Sequence, residues 1–347
     1  MISRPGGTAV LLLNMGGPDS IQAVRPFLKN LFSDPAIIGL PGFARLPLAA
    51  VLSSVRAKKV IPRYRLIGGK SPIGEITSGQ AEALAGTLSS RDRPEVGPVL
   101  PAFSYWHPFI RDSIEDASGS GCEELLVLSL YPQYCGATTG TCLRDLEAAI
   151  PGSPFEGRVR TIDRWPDHPG YLDALVSTVR EALAQIRPEE RDDAVILFSA
   201  HGIPTSLVDK GDPYPHEIAR TVQGVVERLG NRVHVLAFQS RLGPVRWLAP
   251  NLREALKDLA RKGAPPLVVV PVSFVSDHIE TLYELDIQHR EIAGNLGIST
   301  YIRAPALNTR TDFIEALADL VASALPPPGP FRTDRPGRGN SHARTHS

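Results

Sequence analysis

The chain runs to 347 residues, 42% of them apolar, with 37 basic and 37 acidic side chains that balance to zero at neutral pH. That length suffices for two domains with a core each, and the balanced charge excludes a global field for gathering nucleic acid, so no nucleic-acid partner is expected and charge-driven binding is local. Three cysteines without a C-x-x-C pair exclude a disulfide framework and a structural zinc site; residues 1–8 lack an export signal and no apolar stretch is long enough to span a bilayer, so the reading is a soluble cytoplasmic protein.

Residues 10–13 form an aliphatic run ending in Asn14-Met15-Gly16-Gly17-Pro18, the pattern of a buried parallel strand, a tight loop and a helix. Neither glycine cluster near the start is a nucleotide loop: Gly16-Gly17 lacks the G-x-G-x-x-G spacing, and Tyr64 stands where a phosphate loop ending at Gly69-Lys70-Ser71 needs its first glycine. Residues 41–60 interleave Phe43, Leu46, Leu48, Val51, Leu52 and Val55 with Arg45, Arg56, Lys58 and Lys59, an amphipathic segment suited to packing on its own domain or to lying on a membrane surface. A glycine-rich basic loop at 64–73 follows, with Arg65 and Lys70 available to a substrate anion, and then a helix over 77–88. A second strand, 96–103, delivers Ser104-Tyr105-Trp106-His107-Pro108 and a helix at 110–117. A third, 124–130, delivers Tyr131-Pro132-Gln133-Tyr134-Cys135-Gly136 and a helix capped at Thr138 or Thr139 that runs to 149.

The Pro- and Gly-rich stretch 151–157 marks a domain boundary, after which a helix is expected over 171–185. The second half repeats the first. Strand 194–198 delivers Ser199-Ala200-His201-Gly202-Ile203-Pro204, strand 233–238 delivers Gln239-Ser240-Arg241-Leu242-Gly243-Pro244 and Trp247, and strand 267–275 delivers Ser276-Asp277-His278-Ile279-Glu280-Thr281-Leu282-Tyr283-Glu284-Leu285-Asp286. With helices at 216–229, 252–262 and 311–325, the alternation predicts an α/β fold with parallel sheets flanked by helices. Residues 326–347 carry no apolar stripe and read as a disordered tail.

Four acids and a histidine behind an apolar strand are a poor way to build a core. A helix opening near Ser276 or Asp277 sets Asp277, Glu280 and Glu284 at i, i+3 and i+7 on one face. Three carboxylates so placed repel one another unless a cation, a proton or water compensates. A solvated helix surface is the plain alternative, yet ligands of open α/β sheets sit outside the carboxyl ends of strands, where this segment begins. His201, in a Gly/Pro-bounded loop after its strand, is placed as a proton acceptor or metal ligand, and shares a crevice with Glu280 if the two strands share a sheet. The loops also gather Met15, Tyr105, Trp106, Tyr131, Tyr134, Trp247 and Phe274 in a chain only 6% aromatic, walls that suit a flat apolar ligand.

Through Asn14-Met15-Gly16-Gly17-Pro18, Tyr131-Pro132-Gln133-Tyr134, Ser199-Ala200-His201-Gly202-Ile203-Pro204 and the acidic stretch 276–286, the sequence resembles the ferrochelatase family over about residues 8–325, the last two motifs being the specific ones. The resemblance implies two Rossmann-like domains, each a parallel sheet flanked by helices, over 8–155 and 156–307, with a helix at 308–325 packing back on the first and a porphyrin cleft between them. It implies insertion of Fe(II) into protoporphyrin IX to give protohaem with release of two protons, a step of haem biosynthesis. By the same likeness His201 and Glu280 are the catalytic pair and the metal donors, with their individual roles left open. Asp277, His278 and Glu284 form a proton or metal path, and Met15, Tyr105, Tyr131, Trp247, Phe274 and Arg65 contact the porphyrin.

On this reading ferrous iron is a substrate and no cofactor is required; the iron–sulfur cluster that some relatives carry needs four ligands, and the cysteines here are three and scattered. The chain departs from some relatives at Gln288, where they have a further acid, and at Ser104, where they have arginine. Segment 41–60 is expected to make peripheral contact with the inner face of the membrane, collecting a membrane-soluble substrate. The alternatives are a coproporphyrin or cobalt chelatase, a non-catalytic haem or porphyrin binder that would gain little from Glu280 and Glu284, and a two-domain glycosyltransferase or solute-binding protein, which the missing phosphate loop and signal peptide disfavour.

Overall fold

In the computed structural model, which describes residues 7–91, 93, 95–240 and 245–325, the alternation of strand and helix becomes two four-stranded sheets with every pairing parallel. The expected tail, 326–347, lies outside the described residues. The first sheet comprises β1 (Thr8–Asn14), β2 (Val96–Phe103), β3 (Glu124–Ser129) and β4 (Arg158–Ile162) in the order β2-β1-β3-β4. Its helices are α1 (Val24–Phe32), α2 (Gly42–Leu66), α3 (Ile73–Ser90), α4 (Ile110–Gly119) and α5 (Thr139–Ala149). After α6 (Pro169–Ala184), the strands β5 (Val195–His201), β6 (His234–Gln239), β7 (Leu267–Pro271) and β8 (Tyr301–Arg303) repeat that order as β6-β5-β7-β8. They alternate with α7 (Thr205–Val208), α8 (Tyr214–Arg228), α9 (Leu252–Arg261), a π-helix (Glu280–His289), α10 (Arg290–Asn295) and α11 (Thr311–Ala324).

β1 is buried along its whole length, as a central parallel strand covered on both faces must be. Its side chains alternate between two cores. Val10 and Leu12 join Leu126 and Leu128, while Ala9, Leu11 and Leu13 join Leu125 and Val127 on the other face. β5 does the same: Ile196 and Phe198 enter the core that holds Val10 and Leu12, and Val195 and Leu197 enter a third. The two sheets therefore share one apolar core. α6 lies in it, with Leu172, Leu175, Val176, Val179 and Leu183 all buried, so it is apolar on most of its circumference. α11 packs on α6 and α3.

Four features differ from the sequence reading. The edge strands β4 and β8 were not expected; they are short, and β4 alternates Arg158, Arg160 and Thr161 with Val159 and Ile162, too brief and polar to stand out. α2 continues to Leu66 with Pro47 and Pro62 inside it, so Tyr64 and Arg65 are helical and the glycine turn starts afterwards, with Gly68 and Gly69 at positive φ. Lys70 pairs with Glu75 in an exposed ion pair, and Arg65 is exposed on the last turn of α2. β7 ends at Pro271, and the helix behind it opens only at Glu280, three residues later than Asp277, so the expected three-acid stripe does not form.

Candidate functional site

His201 is the last residue of β5, paired in register with Gln239 of β6, while β7 lies along the other side of β5. The connection leaving β5 runs to β6 on one side and the one leaving its neighbour β7 runs to β8 on the other, so His201 stands at the point of the sheet where the strand order reverses, the usual crevice for a ligand. Its backbone is fixed on both sides: the N–H donates to Ser273 Oγ at 2.9 Å, and the Tyr214 hydroxyl donates to its carbonyl at 3.0 Å. Gly202 follows because nothing larger fits. A Cβ there would lie 2.9 Å from the Gln239 carbonyl oxygen and 3.5 Å from the Trp247 ring.

Across the crevice the π-helix presents Glu280 and Glu284. His201 Nδ1 is 2.8 Å from Glu280 Oε2. A carboxylate can only accept, so Nδ1 carries the proton and Nε2 of the neutral ring keeps its lone pair. Gln239 Nε2 donates to the same oxygen at 3.4 Å and to the Glu280 carbonyl at 3.3 Å. Ser240 then joins the two acids, its Oγ 3.2 Å from Glu280 Oε2 and 2.6 Å from Glu284 Oε2. Ser240 holds φ at +59°, a left-handed conformation that costs on the order of 1 kcal/mol outside glycine. The result is a continuous chain: His201, Glu280, Ser240, Glu284.

The two acids are driven apart in acidity. Burial opposes charge on both, but His201 beside Glu280 outweighs it and holds that carboxyl below the usual range. Glu284 has no direct bond to the imidazole. Burial first, and then the Glu280 charge, raise it to about 7, and the Ser240 hydrogen bond and the charges of His201 and Arg63 oppose this without reversing it. Burial lowers His201, and Glu280 and Glu284 more than reverse this, so its pKa is raised. Burial raises Tyr64, Tyr131 and Tyr214, and the Glu280 charge adds to each, behind Cys142 at Tyr131 and Cys135 at Tyr214.

Of the other residues expected at the site, Phe274 and His278 join the pair. Phe274 is edge-on to His278 at 4.4 Å and to His201 at 6.2 Å, and His278 Nδ1 sits 3.0 Å from the Ser276 carbonyl, with burial lowering its pKa. Trp247 packs on Gly202 and bridges to Pro204, beside His201. Tyr131 packs against the core that holds Leu11 and Leu13, and Met15 against the one that holds Tyr64 and Tyr105. Asp277 is drawn away from the acids, because Thr281 Oγ1 (2.7 Å), Asn308 Nδ2 (2.9 Å) and Arg303 Nη1 (3.1 Å) occupy its carboxylate. Tyr105 is buried under α1 and α2 and donates to Asp34 Oδ2 at 2.6 Å. Arg65 is exposed on the last turn of α2.

Sequence reasoning passed over Ser240, Tyr64 and Tyr214. Only the register of β5 with β6 puts Ser240 next to His201, and a sequence does not state strand order. Two cavities, of about 440 and 400 Å³, border Phe103 and are lined by Asp19, Lys70 and Trp106 and by Asn30, Asp34 and Asp145; His201 and Glu280 line neither. Among the described residues no set of three or more His, Cys, Asp or Glu side chains is arranged to hold a metal ion. The pair can offer a cation few protein donors, which suits a passing ion better than a resident one.

Comparison with known proteins bears on the family and the fold. The family model described as ferrochelatase matches residues 7–325. A ferrochelatase of Geotalea uraniireducens is 48% identical over 318 residues, covering 91% of this chain and 98% of its own. One of Synechococcus elongatus is 43% identical over 328 residues, covering 93% and 84%. Among solved structures, SirB from Bacillus subtilis with Fe3+ superposes with a TM-score of 0.57 at 11% identity, over 92% of this chain and 96% of that one, a likeness of fold.

Proposed function

The chain belongs to the ferrochelatase family, and from that premise we propose that it inserts Fe(II) into protoporphyrin IX, releasing two protons and giving protohaem. The observation that carries the assignment of roles is the 2.8 Å bond from His201 Nδ1 to Glu280. With Nδ1 committed, Nε2 of His201 takes a pyrrole proton, and the carboxylate of Glu280 stabilises the imidazolium that forms. Ser240 and Glu284 lead the proton onward: Glu284, raised to about 7, alternates between charged and neutral forms near neutral pH. His278 and Phe274 back the pair. Met15, Tyr131, Trp247 and Phe274 form the apolar wall, where a bent macrocycle binds better than a flat one, and exposed Arg65 meets a propionate.

The reading assigns no iron–sulfur cluster and places the protein in the cytoplasm, touching the membrane through α2. Among the described residues no helix is long and apolar enough to cross a membrane. α2 does expose Phe43, Leu46, Val51, Val55 and Leu66 beside its basic residues, which supports peripheral contact.

The test is anaerobic mixing of the protein with protoporphyrin IX and Fe(II), following the Soret and visible bands, with His201→Ala and Glu280→Ala alongside. Turnover in the wild type, lost by about 10²-fold or more in both variants, is expected. A spectral change that stops at one equivalent and is equal in the variants would mean a binding protein, and faster turnover of a four-carboxylate porphyrin or of Co(II) would replace the substrate named.

A further inference from the structure

One buried side chain grips the acidic segment on both flanks. Arg303, the last residue of β8, sends Nε to both oxygens of Asp286 at 2.9 Å and Nη2 to Asp286 Oδ2 at 2.9 Å, while Nη1 reaches Asp277 Oδ1 at 3.1 Å. Its side chain is 10% exposed. Asp277 lies three residues before Glu280 and Asp286 two residues after Glu284, so the guanidinium brackets the stretch that carries both acids. The same strand adds a second hold, since the Tyr301 hydroxyl donates to the Leu285 carbonyl at 3.0 Å. Asn308 secures the forward flank, with its Oδ1 accepting from the Asp277 N–H at 2.8 Å and its Nδ2 donating to Asp277 Oδ2.

A ten-residue π-helix has little intrinsic stability, so its place must be set by tertiary anchors. Arg303 provides the most highly connected of them: a planar fork that satisfies one carboxylate with two bonds and a second with a third, which a lysine ammonium cannot reproduce. Without it, Asp277 loses its counter-charge and Asp286 keeps only the half-exposed Arg290 at 3.6 Å, so two largely buried acids repel the segment outward. Arg303 touches neither His201 nor Glu280 nor Glu284 among the bonds found for it.

We propose that Arg303 is a positioning residue for iron insertion, holding Glu280 and Glu284 in register with His201 by clamping Asp277 and Asp286 to the edge of the second sheet. This rests on the reading of His201 and Glu280 as the reacting pair.

The experiment compares wild type with Arg303→Lys, Arg303→Met and Asp286→Asn in two arms: turnover with porphyrin affinity, and amide hydrogen exchange over residues 280–289. In Arg303→Met kcat is expected to fall about 10²-fold, the cost of displacing catalytic groups by about an ångström. KM for porphyrin should stay within about two-fold, and protection should be lost over 280–289 while β5 and β7 keep theirs. Arg303→Lys and Asp286→Asn should fall in between. Undiminished kcat despite lost protection would overturn the proposal, as would a kcat loss with protection intact. If Arg303→Met does not fold, Asp286→Asn decides, and wild-type kcat there overturns it. A wild type without turnover would remove the chelatase reading itself, a failure that the exchange arm keeps distinct from failure of the clamp.

Discussion

Glu284 is stabilised and destabilised by the same neighbours that make it useful. Its folded pKa is raised from 4.5 to about 7, so between those values the folded chain holds a proton that the unfolded chain has released, and stability falls as pH rises through that window. Glu280 works in the opposite sense: its depressed value contributes stability above its ordinary 4.5, lost as pH falls. His201, raised from 6.5, contributes below that value and loses the contribution as pH climbs through its folded one. The three together favour mildly acidic conditions. Glu284→Gln should therefore be more stable than wild type at pH 8 by on the order of 1–3 kcal/mol, with the gain shrinking at pH 5, while turnover drops. Urea unfolding at the two pH values reads this directly; an equal gain at both, or none, would mean that Glu284 is not held near neutrality. The sequence exposed His201, Glu280 and Glu284 because their types and their place behind apolar strands are visible in it. Ser240 was hidden, since a lone serine in a loop carries no signal until the pairing of β5 with β6 brings it between two carboxylates.

At the scale of elements, legibility follows how local the determining forces are. The central strands β1, β3, β5 and β7 read as aliphatic runs because both of their faces are buried, and α6, α8, α9 and α11 read from periodicity. The acidic segment did not. The sequence predicts an ordinary helix opening near Ser276 or Asp277; instead Asn308 and Arg303 hold Asp277 outside it, and the wider π-helix begins at Glu280. Those partners lie 31 and 26 positions along the chain, beyond any window of local propensity. α2 is legible in a different way, because among the described residues nothing covers its exposed apolar face. Phe43 is 85% exposed and Val51 61%, with Leu46 and Val55 beside them, on a helix that also carries Lys58, Lys59 and Arg65. If this face meets lipid, the wild type should co-sediment with vesicles containing anionic lipid, and Phe43→Glu with Val51→Glu should lower the bound fraction about ten-fold without changing the fold. Equal sedimentation of the double variant would assign the face to some other contact, and strong binding to neutral vesicles alone would remove the role given to the lysines.

The whole molecule is more integrated than its repeated strand order suggests. The two sheets have matching topology, yet Val10, Leu12 and Leu128 of the first share a core with Ile196, Phe198 and Val270 of the second, and α6 and α11 complete it. Polar ties run through the same region. Gln133, buried in the loop after β3, donates to Thr221 Oγ1 of α8 at 2.9 Å and approaches the Tyr171 hydroxyl and the Val272 carbonyl; buried Glu217 accepts from the Tyr134 N–H at 2.6 Å and from Arg164 at 2.9 Å. A core of this continuity leaves neither sheet with a complete apolar interior of its own, since exposing the shared face of either would forfeit about 1.5–3 kcal/mol for each large side chain on it. Unfolding should therefore be a single transition, with tryptophan fluorescence and far-UV circular dichroism tracing the same denaturant midpoint. Gln133→Leu, which removes three polar ties but keeps the volume, should shift that midpoint without splitting it, at a cost of about 1–3 kcal/mol for the partners left unpaired. Two separated midpoints in the wild type would mean that the halves fold independently. The alignment of His201 with the first half, from which the proposed porphyrin wall takes Met15 and Tyr131, would then depend on docking of finished domains rather than on one common core.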